Sequence, residues 1–146
     1  MLVRMDRSFI GLMRRLSMPF ARAALFVVYF WFGLLKVIGA SPASPLVIAL
    51  QHRTMPIFSP DAFLIVFGVW EMVIGCAFLI PRAQRIALGL MVVHMVTTFL
   101  PLVLVPQAVW SGFFVPTLEG QYIIKNVALL AVAISIAAGL TPMERR

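Results

Sequence analysis

The sequence predicts an all-α integral membrane protein, an antiparallel four-helix bundle with an N-terminal interfacial amphipathic helix. Three observations predict it. The chain has 146 residues, 62% of them hydrophobic, and its mean hydropathy is +1.04, far above a soluble domain. Four apolar runs are each long enough to cross a hydrocarbon core of ~30 Å as a helix. The basic residues gather at the ends of those runs, so the net charge of +7 reads as topology and contact with anionic lipid headgroups, not nucleic acid. The length suits one four-span domain and leaves no room for a separate soluble catalytic domain. Cys76 is the only cysteine, which excludes an internal disulfide or a CxxC relay.

Residues 1–18 read as the amphipathic arm. Leu2, Met5, Phe9, Leu12, Met13 and Leu16 fall on one arc, and Arg4, Arg7, Arg14 and Arg15 fall opposite. That pattern predicts a helix lying in the headgroup plane and binding anionic lipid. A basic start before an apolar run also resembles a leader, with Ser41-Pro42-Ala43 as a cleavage site. The run is too long for a leader's apolar core and carries Lys36 near its end, so the arm is read as mature protein.

Residues 19–146 read as the membrane domain, with spans over 19–38, 61–80, 86–101 and 121–140. The first span carries Tyr29, Phe32, Gly33 and Lys36 on one face. Lys36 lies about a turn from the helix end, where it either snorkels to the interface or pairs with a buried acid. A linker follows, SPASPLVIALQHRTMPIFSP. Its prolines punctuate strongly, Pro45–Gln51 suits a short interfacial helix, and His52 and Arg53 suit a solvated rim.

The second span, Asp61–Ile80, organises the rest. Its single mid-span acid, Glu71, shares a face with Leu64, Phe67, Gly68, Gly75 and Phe78. Glycines on that face admit a neighbouring backbone, and an intramembrane carboxylate is by default a functional candidate with a partner. The bland alternative is a protonated or Lys-paired Glu71 that only fixes helix register. Pro81–Arg85 predicts a tight cytoplasmic turn. In the third span His94 lies near the centre with Met91, Thr97 and Thr98 on its face. A hydrogen-bonded structural histidine is the simpler reading, and a soft-metal site lacks a second good ligand. Residues 101–120 are proline-punctuated and aromatic, suiting either a re-entrant lid or an anchored loop with Trp110, Phe113 and Phe114 in an interfacial belt. The fourth span brings Gln121, Tyr122, Lys125 and Asn126, then an alanine-rich half containing Ser135.

The arm, the Arg82/Arg85 turn and the Arg145/Arg146 tail carry the basic residues on one side, whereas Arg53 lies in a loop on the other. Both termini are therefore expected in the cytoplasm. At those depths Lys36 and Lys125 stand above Glu71 and His94, predicting a polar pocket that opens outward with Tyr29, Phe67 and Tyr122 in its walls. Two lysines facing one glutamate leave a positive charge that Asp61, Glu119 or an oxygen-bearing ligand would balance.

These residues resemble the DoxX-like family of small four-helix membrane proteins. The resemblance rests on Phe32-Gly33-Leu34-Leu35-Lys36, on Glu71 with Gly75, on the Arg82/Arg85 turn and on Pro116–Asn126, PTLEGQYIIKN. It covers about Arg22–Leu140. It implies a compact antiparallel bundle, with Lys36, Glu71 and Lys125 matching intramembrane charges. It also implies a setting in quinone-linked or other membrane oxidoreductase complexes, or beside metal-handling or receptor-assembly systems. The expected location is a bacterial inner membrane. No catalytic set comes with it.

The expected function is a redox-associated subunit that binds a quinone-like ligand. Glu71 and His94 would exchange protons as the catalytic pair, and Lys36, Lys125, Tyr29, Tyr122 and Asn126 would bind the ligand. The sequence has no haem, flavin, iron–sulfur or other metal-ligand pattern, so electrons would come from a protein partner. A homo-oligomer is the other expected assembly. The alternative function is a non-enzymatic small-solute carrier or a membrane-protein assembly factor, although the chain has no visible internal repeat.

Overall fold

Prolines and capping side chains divide the chain into its elements. The computed structural model describes residues 2–142, and these are mostly helical. Helix α1, Leu2–Val37, ends where Gly39 takes a left-handed φ of 72° and Ala40 N–H closes back on Leu35 O at 2.8 Å, a glycine-terminated helix end. Helix α2, Ser44–Thr54, has proline in its first turn. Helix α3, Pro60–Leu79, is capped by Ser59, whose hydroxyl accepts from Ala62 N–H at 3.3 Å. Pro81 holds Ile80 in extended backbone and so stops α3.

A 3₁₀ turn, Pro81–Ala83, leads into α4, Gln84–Phe99. Two single-turn helices follow, α5 (Pro101–Leu104) and α6 (Pro106–Val109). Strands β1 (Trp110–Gly112) and β2 (Val115–Pro116) then pair antiparallel. Helix α7, Leu118–Ala138, starts from Thr117. The Thr117 hydroxyl accepts from Gly120 N–H at 3.2 Å and donates to Ala108 O at 2.8 Å. Four stretches, Leu2–Val37, Pro60–Leu79, Pro81–Leu104 and Leu118–Ala138, are long and apolar enough to cross a membrane.

Two expectations change. The arm and the first span are one helix, because α1 runs through Pro19 without a break. A proline removes a single backbone hydrogen bond, which a long apolar helix tolerates. Residues 101–120 are neither a plain loop nor wholly helical. Phe114, at a φ of 56°, turns the chain back so that Gly112 faces Val115. Thr117 N–H then bonds Val109 O at 2.9 Å and fastens the hairpin to the start of α7. The Arg145/Arg146 tail lies outside the described residues.

A close seam of three glycines joins α1 to α3. A Cβ on Gly33 would stand 2.5 Å from Gly68 O, one on Gly68 would stand 2.6 Å from Gly33 O, and one on Gly75 would stand 2.9 Å from Phe30 N. Lipid tails are as apolar as leucine, so burial alone does not draw membrane helices together, and close backbone packing must. Fourteen residues before Lys36, Arg22 donates from Nε to Phe78 O at 2.9 Å and from Nη2 to Leu79 O at 2.6 Å. The Gln84 amide, turned with its oxygen towards α1, accepts from the same Nε at 2.8 Å. Since Gly33 meets Gly68 and Arg22 meets Leu79, α1 and α3 run in opposite directions. Leu25, Ile74, Phe78, Met91 and Ile136 are buried together in the core. Outside it, Cys76 is exposed on a shallow apolar groove of about 430 Å³ with Phe30, Met72, Val73 and Ile80.

Gly68→Ala is expected to lower the melting temperature in detergent, equivalent to about 1–3 kcal/mol of overpacking. Gly89, with nothing within 4 Å of a built Cβ, is the contrasting position. Gly89→Ala should raise stability by about 0.8–1 kcal/mol through helix propensity. Equal melting of both variants would rule out the tight seam.

Candidate functional site

The glycine seam places two charges where they must meet. Lys36 lies three residues beyond Gly33 and Glu71 three beyond Gly68, so each Cα stands about 4.5 Å from the crossing, on opposite sides of it. Helical side chains lean towards their own N-terminus. Because α1 and α3 are opposed, both side chains lean back to the crossing. Lys36 Nζ donates to Glu71 Oε2 at 2.6 Å, and each residue is 6% exposed.

Helix α4 completes the centre. His94, 5% exposed, brings Nε2 to 2.9 Å from Glu71 Oε1. The carboxylate thus bridges an ammonium on α1 and an imidazole on α4, one oxygen to each. Behind the imidazole, Nδ1 meets the Thr98 hydroxyl at 3.3 Å and the Tyr29 hydroxyl at 3.5 Å. A neutral ring protonated on Nε2 donates to Glu71 and accepts a hydroxyl proton on Nδ1. A ring protonated on both nitrogens donates to the same hydroxyls, which turn to accept. The Thr97 hydroxyl donates to His94 O at 2.6 Å and that of Thr98 does so at 3.0 Å, fixing the helix turn that carries the ring.

Aromatic rings enclose the imidazole. Phe67 lies 4.9 Å away at 33°, Trp70 stands edge-on at 5.6 Å, and Tyr29 stands edge-on at 5.2 Å. The Lys36 ammonium also lies over the Phe67 ring, 6.0 Å from its centroid. The opposite formal charges of Lys36 and Glu71 meet at 2.6 Å, and the imidazole of His94 holds the second oxygen of the same carboxylate.

Of the residues expected to form the site, the structure brings together Glu71, His94, Lys36 and Tyr29. It does not bring Lys125, Tyr122 or Asn126 to them. Ile123 is the buried position of that turn of α7, and Lys125, two residues on, projects about 200° around the helix. Lys125 is exposed and lies over the Tyr122 ring at 5.1 Å. The side-chain amide of Asn126 donates to Tyr122 O and Ile123 O on its own helix. The expected outward-opening pocket with two lysines is thus a closed centre with one, and its charge needs no balance from Asp61 or Glu119.

Sequence reasoning passed over Arg22 and Trp70. The signal for Trp70 was the Phe63, Phe67, Trp70 spacing, an aromatic row beside the Glu71 face. The signal for Arg22 was an arginine one turn past Pro19, level with the end of an antiparallel neighbour.

Glu71→Gln leaves the Lys36 ammonium buried without a counter-charge, and about 3–5 kcal/mol of stability should be lost. The double change Lys36→Met with Glu71→Leu should lose less than either single change, and Lys125→Met should stay within about 0.5 kcal/mol of the native chain. Thermal unfolding of the five variants (Glu71→Gln, Lys36→Met, Glu71→Leu, their Lys36→Met/Glu71→Leu double and Lys125→Met) in one detergent checks this. Additive losses in the double variant would contradict a coupled pair.

No family model, curated protein or solved structure matches this chain.

Proposed function

We propose that the chain is a membrane-embedded, redox-associated subunit whose Lys36–Glu71–His94 centre binds a quinone-like ligand and exchanges protons with it. One observation carries the reading. A carboxylate inside a candidate membrane span is hydrogen-bonded at once to an ammonium, 2.6 Å away, and an imidazole, 2.9 Å away. Lys36 and His94 are the groups that would hold ligand oxygens. A quinone, when bound, supplies a two-electron carrier whose oxygens end protonated. Glu71 would balance the Lys36 ammonium, and His94 would pass a proton to a ligand oxygen while the Thr98 and Tyr29 hydroxyls hold its other ring nitrogen. The protons taken up in the reduction would be drawn from water at the membrane surface. Electrons come from a partner protein.

The resemblance to the DoxX-like family supports the same setting. In it the spans form an antiparallel four-helix bundle in a bacterial inner membrane, both termini lie in the cytoplasm, and the arginines of the arm meet anionic lipid. A second reading, assembly of another membrane protein, is favoured by one feature, the exposed Lys125 in α7. A lysine at that depth meets an acidic group on a neighbouring helix or reaches for the interface.

Mass spectrometry of the protein extracted in mild detergent tests the first reading. Stoichiometric quinone is expected with the native chain, with at least tenfold less in His94→Gln. Native protein that is folded and free of quinone would leave the assembly reading in its place. In the same spectra, Arg14→Gln with Arg15→Gln should retain less anionic lipid than the native chain. Equal retention would remove the arm from lipid binding.

A further inference from the structure

The polar groups of the centre are buried, and two of the rings around them are half-buried. Tyr29 and His94 are 4% and 5% exposed, and the α1–α3 seam has no room for a single methyl group at Gly33 or Gly68. The rings between the centre and the exterior are Phe67 and Trp70, both half-buried. Phe67 is the side chain that lies against both donors at once, with its centroid 4.9 Å from that of the imidazole and 6.0 Å from the Lys36 ammonium. Trp70 stands edge-on to it at 5.8 Å, and Phe63 stacks on its other side at 5.8 Å and 14°. A flat six-membered ring is therefore already seated against the ammonium and the imidazole, framed by aromatics, on a face turned outward within a candidate membrane span.

We infer that the Phe67 ring fills the seat of the ligand's own ring, and that the ligand reaches it sideways from the bilayer, between α3 and α4, by displacing Phe67. The inference rests on the quinone-like reading of the centre and adds the ligand's shape and its route. The ligand is a planar, oxygen-bearing ring on a lipid-soluble tail. Its ring replaces one of equal size, so the aromatic contacts to Trp70 and His94 are kept. Its oxygens meet Lys36 and His94, to which a phenyl ring offers nothing. Until Phe67 moves, the centre stays dry, and every binding event carries the cost of moving it.

The chain contains three tryptophans, so Trp31→Phe with Trp110→Phe leaves Trp70 as the sole reporter beside the seat. This background, in lipid nanodiscs, is titrated with decylbenzoquinone while Trp70 fluorescence is read, and decanol serves as the ringless control. Saturable quenching is expected from the quinone and not from decanol. Phe67→Ala should tighten the apparent Kd about tenfold, because the ring no longer has to be displaced. Phe67→Leu should tighten it less, and Phe20→Ala, an exposed ring elsewhere on α1, should leave it unchanged. Thermal unfolding identifies a variant that fails to fold, and Phe67→Leu then stands in for Phe67→Ala. Saturable quenching with the same Kd in the parent and both Phe67 variants would overturn the seat and leave ligand binding intact. Quenching that never saturates, or that decanol reproduces, would overturn the seat and the quinone reading together.

Discussion

The contact between the backbones of Gly33 and Gly68 is the constraint on which the structure depends. A lysine and a glutamate set three residues beyond a crossing of opposed helices lean back to meet there, provided that the helices are close enough. One methyl group at either glycine would hold them apart. Water is absent at that depth, so separated charges would have no other solvation. The glycines and the charges therefore act as one device. The glycines make the approach possible, and the ion pair makes any register but this one costly.

The carboxylate of Glu71 is divided between an ammonium and an imidazole, and this sets the geometry of the centre. An isolated Lys–Glu pair fixes helices and little else. Adding an imidazole on the second oxygen, backed by two hydroxyls, ties a third helix and a hydrogen-bonded network to the pair. The surrounding rings of Tyr29, Phe67 and Trp70 keep out water while offering their faces or edges to the cationic members. The contrast is Lys125, a lysine of similar depth on α7, which makes only a ring contact among the described residues and belongs to the outside of the molecule.

Much of this was legible in the chain. Runs of apolar residues of bilayer length, prolines at helix starts and the spacing of Gly33, Lys36, Gly68 and Glu71 each have a local physical meaning, and the structure places them as that meaning requires. His94 joined the centre because its face is set by a period of 3.6 that any reader can follow. Each failure has its own physical cause. Whether Lys125 faces in or out depends on the rotation of α7 about its axis, and its hydropathy is too even around the helix to fix that angle. Pro19 was read as a boundary because its local preference is to interrupt, whereas the flanking residues on both sides favour helix strongly enough to continue through it. The hairpin depends on Phe114 adopting a positive φ, for which an aromatic residue gives no forewarning.

The uninterrupted course of α1 has a mechanical consequence. At 1.5 Å per residue its 36 residues form a rod of about 54 Å, with the arginine-bearing arm at one end and the Lys36 ammonium at the other. Arg22, clasping the last carbonyls of α3, sits between them as a fulcrum. A tilt of the arm is therefore delivered, reversed, to the crossing where a 2.6 Å contact holds the charge pair. The arginine-bearing arm and the buried charge centre lie on one lever, so a force on one end and the electrostatics at the other act on the same degree of freedom.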